Sequence, residues 1–155
     1  MNILATQYTL STKSFEIYVS GCAANPHCFN CHNPESWDFN NGDKFTQKML
    51  LNWVNKIKDF NNIIDNVMIF GGEPLDNNIE ELNSIIEILS KLKPVWVFTR
   101  YSIENAKVIL GSYINNISYL KCGAYIEELK CDNNVQYGIK LATENQNIYK
   151  RGVDF

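Results

Sequence analysis

The chain lacks the features that would place it in a membrane, on a secretory route or on a nucleic acid. No apolar run is long enough to span a bilayer, and the N-terminus has no basic region followed by a long apolar core. We therefore expect a cytoplasmic protein, in a compartment that keeps thiols reduced, with no membrane partner. The net charge of -3 gives no electrostatic reason to expect a nucleic acid as partner.

The sequence also has only two histidines and shows neither an acid–base pair nor a nucleophile triad. Its 155 residues are 45% hydrophobic and 20% charged, which is ordinary for a globular protein. This length suffices for one domain with its own core, but it is short for a complete eight-unit barrel. We expect a single domain over residues 1–155.

Apolar periodicity predicts alternating strands and helices in the middle of the chain. The predicted helices cover 45–60, capped by Thr46, then 79–93, and from Ser102 to Leu110. The predicted strands cover 15–20, paired with 5–10 across a turn, then 66–70, 95–98, 117–120 and 138–142. This alternation implies a parallel sheet with right-handed crossovers.

Unusual residues follow four of these strands, namely 21–22, 71–74, 99–101 and 121–123. Because chemistry in parallel sheets gathers at the carboxyl ends of the strands, we expect the four segments to form a single site. Glycines such as those at 71–72 let the backbone approach a ligand closely, although a glycine pair before a proline is also common in simple turns.

Three of the five cysteines, Cys22, Cys28 and Cys31, fall within ten residues, which in a reducing compartment indicates a metal site before disulfides. A structural zinc site needs four ligands, with His27 or His32 as the conceivable fourth. A [4Fe–4S] cluster normally takes four thiolates, so three leave one iron open for a substrate or cofactor. We interpret the cysteines as cluster ligands, with structural zinc or inert thiols as the alternatives.

The segments around these cysteines carry a family resemblance. Residues 21–22, 28–38 and 71–75, with the sequence Gly-Gly-Glu-Pro-Leu in the last, are similar to the anaerobic ribonucleoside-triphosphate reductase activating proteins. These are radical-SAM activases of a glycyl-radical enzyme. Residues 119–129 and 141–146 resemble later segments of the same family, so the resemblance covers nearly the whole chain.

The resemblance implies an α/β fold, an incomplete parallel (β/α) barrel of the radical-SAM type with about four to six strands and one open side. It implies that the open iron of a [4Fe–4S] cluster binds S-adenosyl-L-methionine, and that an electron then releases methionine and a 5′-deoxyadenosyl radical. That radical takes a hydrogen atom from a glycine of the anaerobic ribonucleotide reductase. A reduced donor such as flavodoxin or ferredoxin supplies the electron.

By the same resemblance, Cys22, Cys28 and Cys31 are the catalytic cluster ligands. The candidates for binding S-adenosyl-L-methionine are Asn30, His32, Gly71, Gly72, Glu73, Thr99 and Lys121. Each also has a plainer interpretation, since most lysines are solvated and a threonine at a strand end is often structural. Cys122 and Cys131 lack metal-site spacing, and we expect them to take no part.

One departure from the family pattern lies in the cysteine loop. Five residues, 23–27, separate Cys22 from Cys28, whereas the family's usual spacing is three. We expect a bulge to absorb the two extra residues without moving the thiolates. The rival functions are a radical-SAM enzyme that acts on a small molecule or another glycyl-radical enzyme, and a non-catalytic iron–sulfur or zinc module.

Overall fold

The computed structural model describes all 155 residues. Its helices are α1 (Gln47–Asp59), α2 (Ile79–Leu89) and α3 (Ile103–Leu110). Its strands are β1 (Asn2–Thr9), β2 (Ser14–Val19), β3 (Asp43–Lys44), β4 (Asn66–Gly71), β5 (Val95–Phe98), β6 (Tyr119–Cys122), β7 (Val135–Gln136), β8 (Ile139–Lys140) and β9 (Asn147–Lys150). None of the three helices is long and apolar enough to cross a membrane.

Seven strands form one mixed sheet in the order β3-β1-β2-β4-β5-β6-β9. The middle strands β2, β4, β5 and β6 are parallel, and α1, α2 and α3 connect them in turn. The outer strands β1, β3 and β9 are antiparallel to their neighbours. Strands β7 and β8 form a separate antiparallel pair.

The predicted incomplete parallel (β/α) barrel is wrong. The protein is a mostly-sheet domain whose seven-stranded mixed sheet ends in two antiparallel margins, and it has only three helices. The prediction assumed that the alternating strands and helices in the middle of the chain belong to a barrel. However, the chain turns back antiparallel at β1 and again at β9, so the sheet has edges where a barrel would need further parallel strands.

The two faces of the sheet bury different amounts of apolar surface. Alternate residues such as Ile17, Val67 and Val97 pack with the three helices in a core cluster of 25 buried residues. The opposite face has a cluster of only four buried residues, among them Met68 and Trp96. The helices therefore anchor one face, and the other face is covered mainly by the chain after β6.

Local signals set the helix starts. The Thr46 side chain accepts a hydrogen bond from the Met49 N–H at 3.3 Å, and the Ser102 side chain accepts one from the Asn105 N–H at 3.3 Å. Both predicted caps are confirmed, although α1 itself begins at Gln47, two residues after the predicted start. Helix α2 ends at Leu89, four residues before the predicted end.

Replacing Gly71 should test how closely the end of β4 packs against its parallel neighbour β2. Its φ of +124° lies in the region that favours glycine, and a Cβ there would stand 2.0 Å from the Val19 carbonyl oxygen. We expect Gly71→Ala to lower the free energy of unfolding by about 3 kcal/mol or more, measured by urea denaturation. The control is Gly111→Ala, where φ is +53° and nothing lies within 4 Å; it should cost about 1 kcal/mol. Equal losses in the two variants would contradict the steric argument.

Candidate iron–sulfur site

The candidate site is a cavity of about 450 Å³ at the carboxyl ends of β2, β4, β5 and β6. The four segments that the sequence singled out meet around this one space. Every residue predicted to bind the cluster or the cofactor lines it: Cys22, Cys28, Asn30, Cys31, His32, Gly71, Gly72, Glu73, Thr99 and Lys121. Their individual roles stay predictions, but the sequence selected residues that the fold brings together.

The three cysteines of the loop are free and half-buried. Cys28 and Cys31 are joined by a tight turn, in which the Cys31 N–H donates to the Cys28 carbonyl at 3.2 Å and Asn30 adopts a φ of +49°. Burial raises the pKa of the Cys22 thiol, and a metal that binds this sulfur as a thiolate displaces its proton.

The donor set fits an iron–sulfur cluster better than a single ion. No group of three or more His, Cys, Asp or Glu side chains is arranged to hold one metal ion. In a [4Fe–4S] cluster each thiolate bonds a different iron, so the thiolates stand farther apart than the ligands of one ion. Cys22, Cys28 and Cys31 line one cavity, and this donor set fits a cluster held by three thiolates.

The longer cysteine loop is tied down near both ends. The Ala23 N–H donates to the Asp76 carboxylate at 2.7 Å. At the other end, the His27 ring stacks on Trp37 with a centroid distance of 4.0 Å and an angle of 14°. A ring nitrogen of His27 also lies 3.2 Å from the Cys22 carbonyl oxygen. The two extra residues are thus accommodated in a defined conformation, and His27 packs on an aromatic ring.

Gly72 lies where β4 leaves the sheet and meets the start of the cysteine loop. A Cβ on Gly72 would stand 2.3 Å from the Gly21 carbonyl oxygen and 2.7 Å from that of Ser36. The Gly21 N–H in turn donates to the Ser36 carbonyl at 2.7 Å. The close backbone approach predicted for the glycine pair exists, and here its partner is the protein's own backbone. A side chain at Gly72 would therefore displace the loop that carries Cys22.

Glu73 is 1% exposed, and both oxygens of its carboxylate accept hydrogen bonds from the protein. One oxygen accepts from the Leu75 N–H at 3.0 Å and from the Thr99 hydroxyl at 2.7 Å. The other accepts from the Arg100 N–H at 2.7 Å. Burial raises the pKa of Glu73, and these hydrogen bonds oppose the rise. In this arrangement Glu73 and Thr99 connect the ends of β4 and β5.

Sequence reasoning missed Asp76. Its carboxylate receives two hydrogen bonds from the Arg100 guanidinium, at 3.2 and 3.1 Å, and one from the Tyr101 hydroxyl at 2.5 Å. Because Asp76 also accepts from the Ala23 N–H, it links β5 to the cysteine loop. Asp76 could have been predicted as a site residue, because it is a carboxylate three positions after Glu73 in the segment that follows a buried strand.

Lys121, near the end of β6, lines the cavity. Its Nζ donates a hydrogen bond to the Gly123 carbonyl at 2.7 Å. Burial lowers the pKa of Lys121 to about 8, and the nearby Glu73 carboxylate opposes that shift. The adjacent Cys122 points away into the core, where burial raises its pKa to about 12. Neither Cys122 nor Cys131 lines the cavity.

Two aromatic side chains complete the floor of the cavity and were not predicted. Phe70 and Phe98, near the ends of the neighbouring strands β4 and β5, have ring centroids 4.2 Å apart and both line the cavity. Strand alternation gave a signal, because Phe70 follows the core residue Ile69 and must face the other side of the sheet. These rings offer an apolar surface to a flat ligand.

The similarity that identifies the family extends over most of the chain. The profile of a family described as 4Fe-4S single cluster domain matches residues 13–149. The chain belongs to this family. A 4Fe-4S single cluster domain accords with three thiols on one cavity, and the match extends over β2 to β9, beyond the cysteine loop itself.

Curated relatives of this 4Fe-4S single cluster domain are each named anaerobic ribonucleoside-triphosphate reductase-activating protein. The relative from Escherichia coli (strain K12) is 25% identical over 118 residues, which cover 74% of this chain and 75% of the relative. The relative from Haemophilus influenzae is 28% identical over 116 residues, covering 72% and 74% respectively. These relatives confirm the resemblance predicted from the cysteine and glycine segments. No solved structure matches the chain.

Cysteine substitution should separate the three loop thiols from the other two. After anaerobic reconstitution we expect about four irons and four acid-labile sulfides per chain, as one cubane cluster requires. Cys22→Ala, Cys28→Ala and Cys31→Ala should each abolish the cluster, measured by iron analysis and the visible absorption spectrum. Cys122→Ala and Cys131→Ala serve as controls and should retain it; loss of the cluster in either would contradict the ligand assignment.

Proposed function

We propose that this protein is a radical-SAM activase. It reductively cleaves S-adenosyl-L-methionine at a [4Fe–4S] cluster held by Cys22, Cys28 and Cys31, and generates a glycyl radical on an anaerobic ribonucleotide reductase. The observation that carries the proposal is the meeting of these thiols with residues 71–73 in one cavity at the carboxyl ends of the parallel strands. The names of the relatives support the choice of partner.

Cys22, Cys28 and Cys31 would hold the cluster, which would pass one electron from the reduced donor to S-adenosyl-L-methionine and so supply methionine and the 5′-deoxyadenosyl radical needed to take a glycine hydrogen. The protein's own residues bind and orient the cofactor. Lys121 supplies a cation for the cofactor carboxylate, and the carbonyl groups of Gly71 and Gly72 accept from its ammonium group. The rings of Phe70 and Phe98 exclude water from the floor of the site.

The remaining cavity residues either border the entrance to the cofactor site or hold its walls in place. Asn30 and His32 lie on the exposed side of the cysteine turn, where they border the cavity from above. Glu73 and Thr99 act by holding the ends of β4 and β5 together, since their polar atoms are already bonded to one another. The electron comes from a reduced donor such as flavodoxin or ferredoxin.

Cleavage of S-adenosyl-L-methionine should not require the reductase, whereas formation of the glycyl radical should. With dithionite and S-adenosyl-L-methionine, the cluster-loaded protein should release 5′-deoxyadenosine and methionine, measured by liquid chromatography. Adding the reductase should produce the doublet electron-spin signal of a glycyl radical, and replacing the radical-bearing glycine of the reductase by alanine should remove it. Turnover of a small molecule without a radical on the reductase would contradict the activase assignment.

The pH dependence of cofactor binding should identify the role of Lys121. Because the pKa of this amine is lowered to about 8, the ammonium that pairs with the cofactor carboxylate is present at lower pH and lost as pH rises. We expect the dissociation constant for S-adenosyl-L-methionine to rise by up to tenfold per pH unit above about 8, measured anaerobically by equilibrium dialysis. The control is Lys121→Met, whose side chain has a similar length but no charge, so that its pH profile reflects titration of the cofactor alone. Parallel pH profiles for the wild type and this variant would contradict the pairing of Lys121 with the cofactor carboxylate.

A further inference from the structure

A second cavity of about 640 Å³ adjoins the candidate site, and we name it the side cleft. It lies between residues 24–29 of the cysteine loop and residues 124–128 after β6. Seven of the twelve residues that line the side cleft also line the candidate site, among them Cys28, Phe29 and Glu127. A chain segment that occupies the side cleft therefore lies directly beside the cavity that receives the cofactor.

One wall of the side cleft consists of the longer cysteine loop, and that wall is fixed in place. The bond from the Ala23 N–H to Asp76 holds the start of the loop at 2.7 Å. The stacking of His27 on Trp37 holds its end. A surface that is ordered before a partner arrives loses little conformational entropy on binding. The two extra loop residues thus help to form a preorganised wall.

The rim of the side cleft presents apolar side chains to solvent. Phe29, on the cysteine loop, is 63% exposed, and Ile126, on the opposite wall, is 38% exposed. Pro26 is also exposed beside them. Exposed apolar residues on both sides of a cleft are typical of a protein-binding surface, because a partner removes them from water.

The charges of the side cleft are predominantly negative. Glu127 and Glu128 are exposed, and neither forms an ion pair in the structure. The single cation of the cleft, Arg100, is neutralised by its two hydrogen bonds to Asp76. Electrostatic complementarity therefore favours an occupant with positive charge.

We propose that the side cleft binds a positively charged polypeptide segment of the protein substrate, one that carries lysine or arginine near the glycine to be oxidised. The inference rests on the proposed function, because a glycine inside a folded partner reaches the cofactor only if its flanking chain lies over the cavity margin. The side cleft offers that flanking chain an apolar rim, a wall already in place and two exposed carboxylates outside any ion pair, of which Glu127 accepts a hydrogen bond from the Tyr125 hydroxyl.

Charge reversal at Glu128 tests the proposal, since this side chain lines the side cleft and not the cofactor cavity. In the cluster-loaded Glu128→Lys protein, the reductase concentration that gives half-maximal glycyl-radical signal should rise about five- to tenfold. Added salt should weaken activation by the wild type more than by this variant. Ile126→Asn should also raise the half-maximal concentration. The matched control is Asp59→Lys, the same change of charge at the end of α1, which should have no effect.

Two further measurements separate this inference from the proposed function. Reductive cleavage of S-adenosyl-L-methionine without the reductase should be unchanged in all three variants. A photo-crosslinking amino acid at position 128 should link to a reductase peptide that contains lysine or arginine. The side-cleft assignment would be overturned if Glu128→Lys and Ile126→Asn needed the same half-maximal reductase concentration as Asp59→Lys. Crosslinks formed only with the electron donor would overturn it as well. A wild-type protein that forms no glycyl radical on the reductase would instead overturn the proposed function.

Discussion

The carboxylate of Glu73 lies beneath the cysteine loop and accepts three hydrogen bonds from the chain that it organises. A buried carboxylate with no partners costs several kcal/mol, so the fold is stable only if those donors stay in place. Two of the donors belong to Thr99 and Arg100 at the end of β5, whereas Glu73 itself follows β4. The burial of one carboxyl group that needs these partners thus fixes two strand ends relative to each other.

The same constraint extends to the first cysteine. The Glu73 N–H donates to the Gly21 carbonyl at 2.7 Å, one residue before Cys22. Arg100, whose N–H binds Glu73, carries a guanidinium that holds Asp76, and Asp76 holds the Ala23 N–H. Cys22 is therefore fixed on both sides by groups that depend on one buried acid. The Gly-Gly-Glu-Pro segment serves the protein structurally as well as bordering the candidate site.

Most local signals led to correct predictions, although the end of α2 was placed four residues too late and the strand predicted at 138–142 is limited to Ile139–Lys140. Helix caps at Thr46 and Ser102, apolar stripes, and glycines after buried strands all depend on residues close in the chain, and they located the elements and the residues of the cavity. The barrel prediction failed because strand order and direction depend on pairing between distant segments. Nothing within residues 147–150 indicates that this short, largely polar strand pairs antiparallel with β6. Asp76 was missed for the same reason, since its partners lie 24 and 53 positions away.

The corrected fold bears on how the site is closed. In a barrel, parallel strands would surround the cavity, whereas here the sheet supplies only its floor, with Phe70 and Phe98 among the floor residues. The opposite side is formed by the cysteine loop and by residues 123–130, which are mostly irregular. Loop walls with exposed apolar residues such as Phe29 exclude water poorly until another surface covers them. Under the proposed function, the substrate protein would be the surface that covers these loops and shields the radical from water.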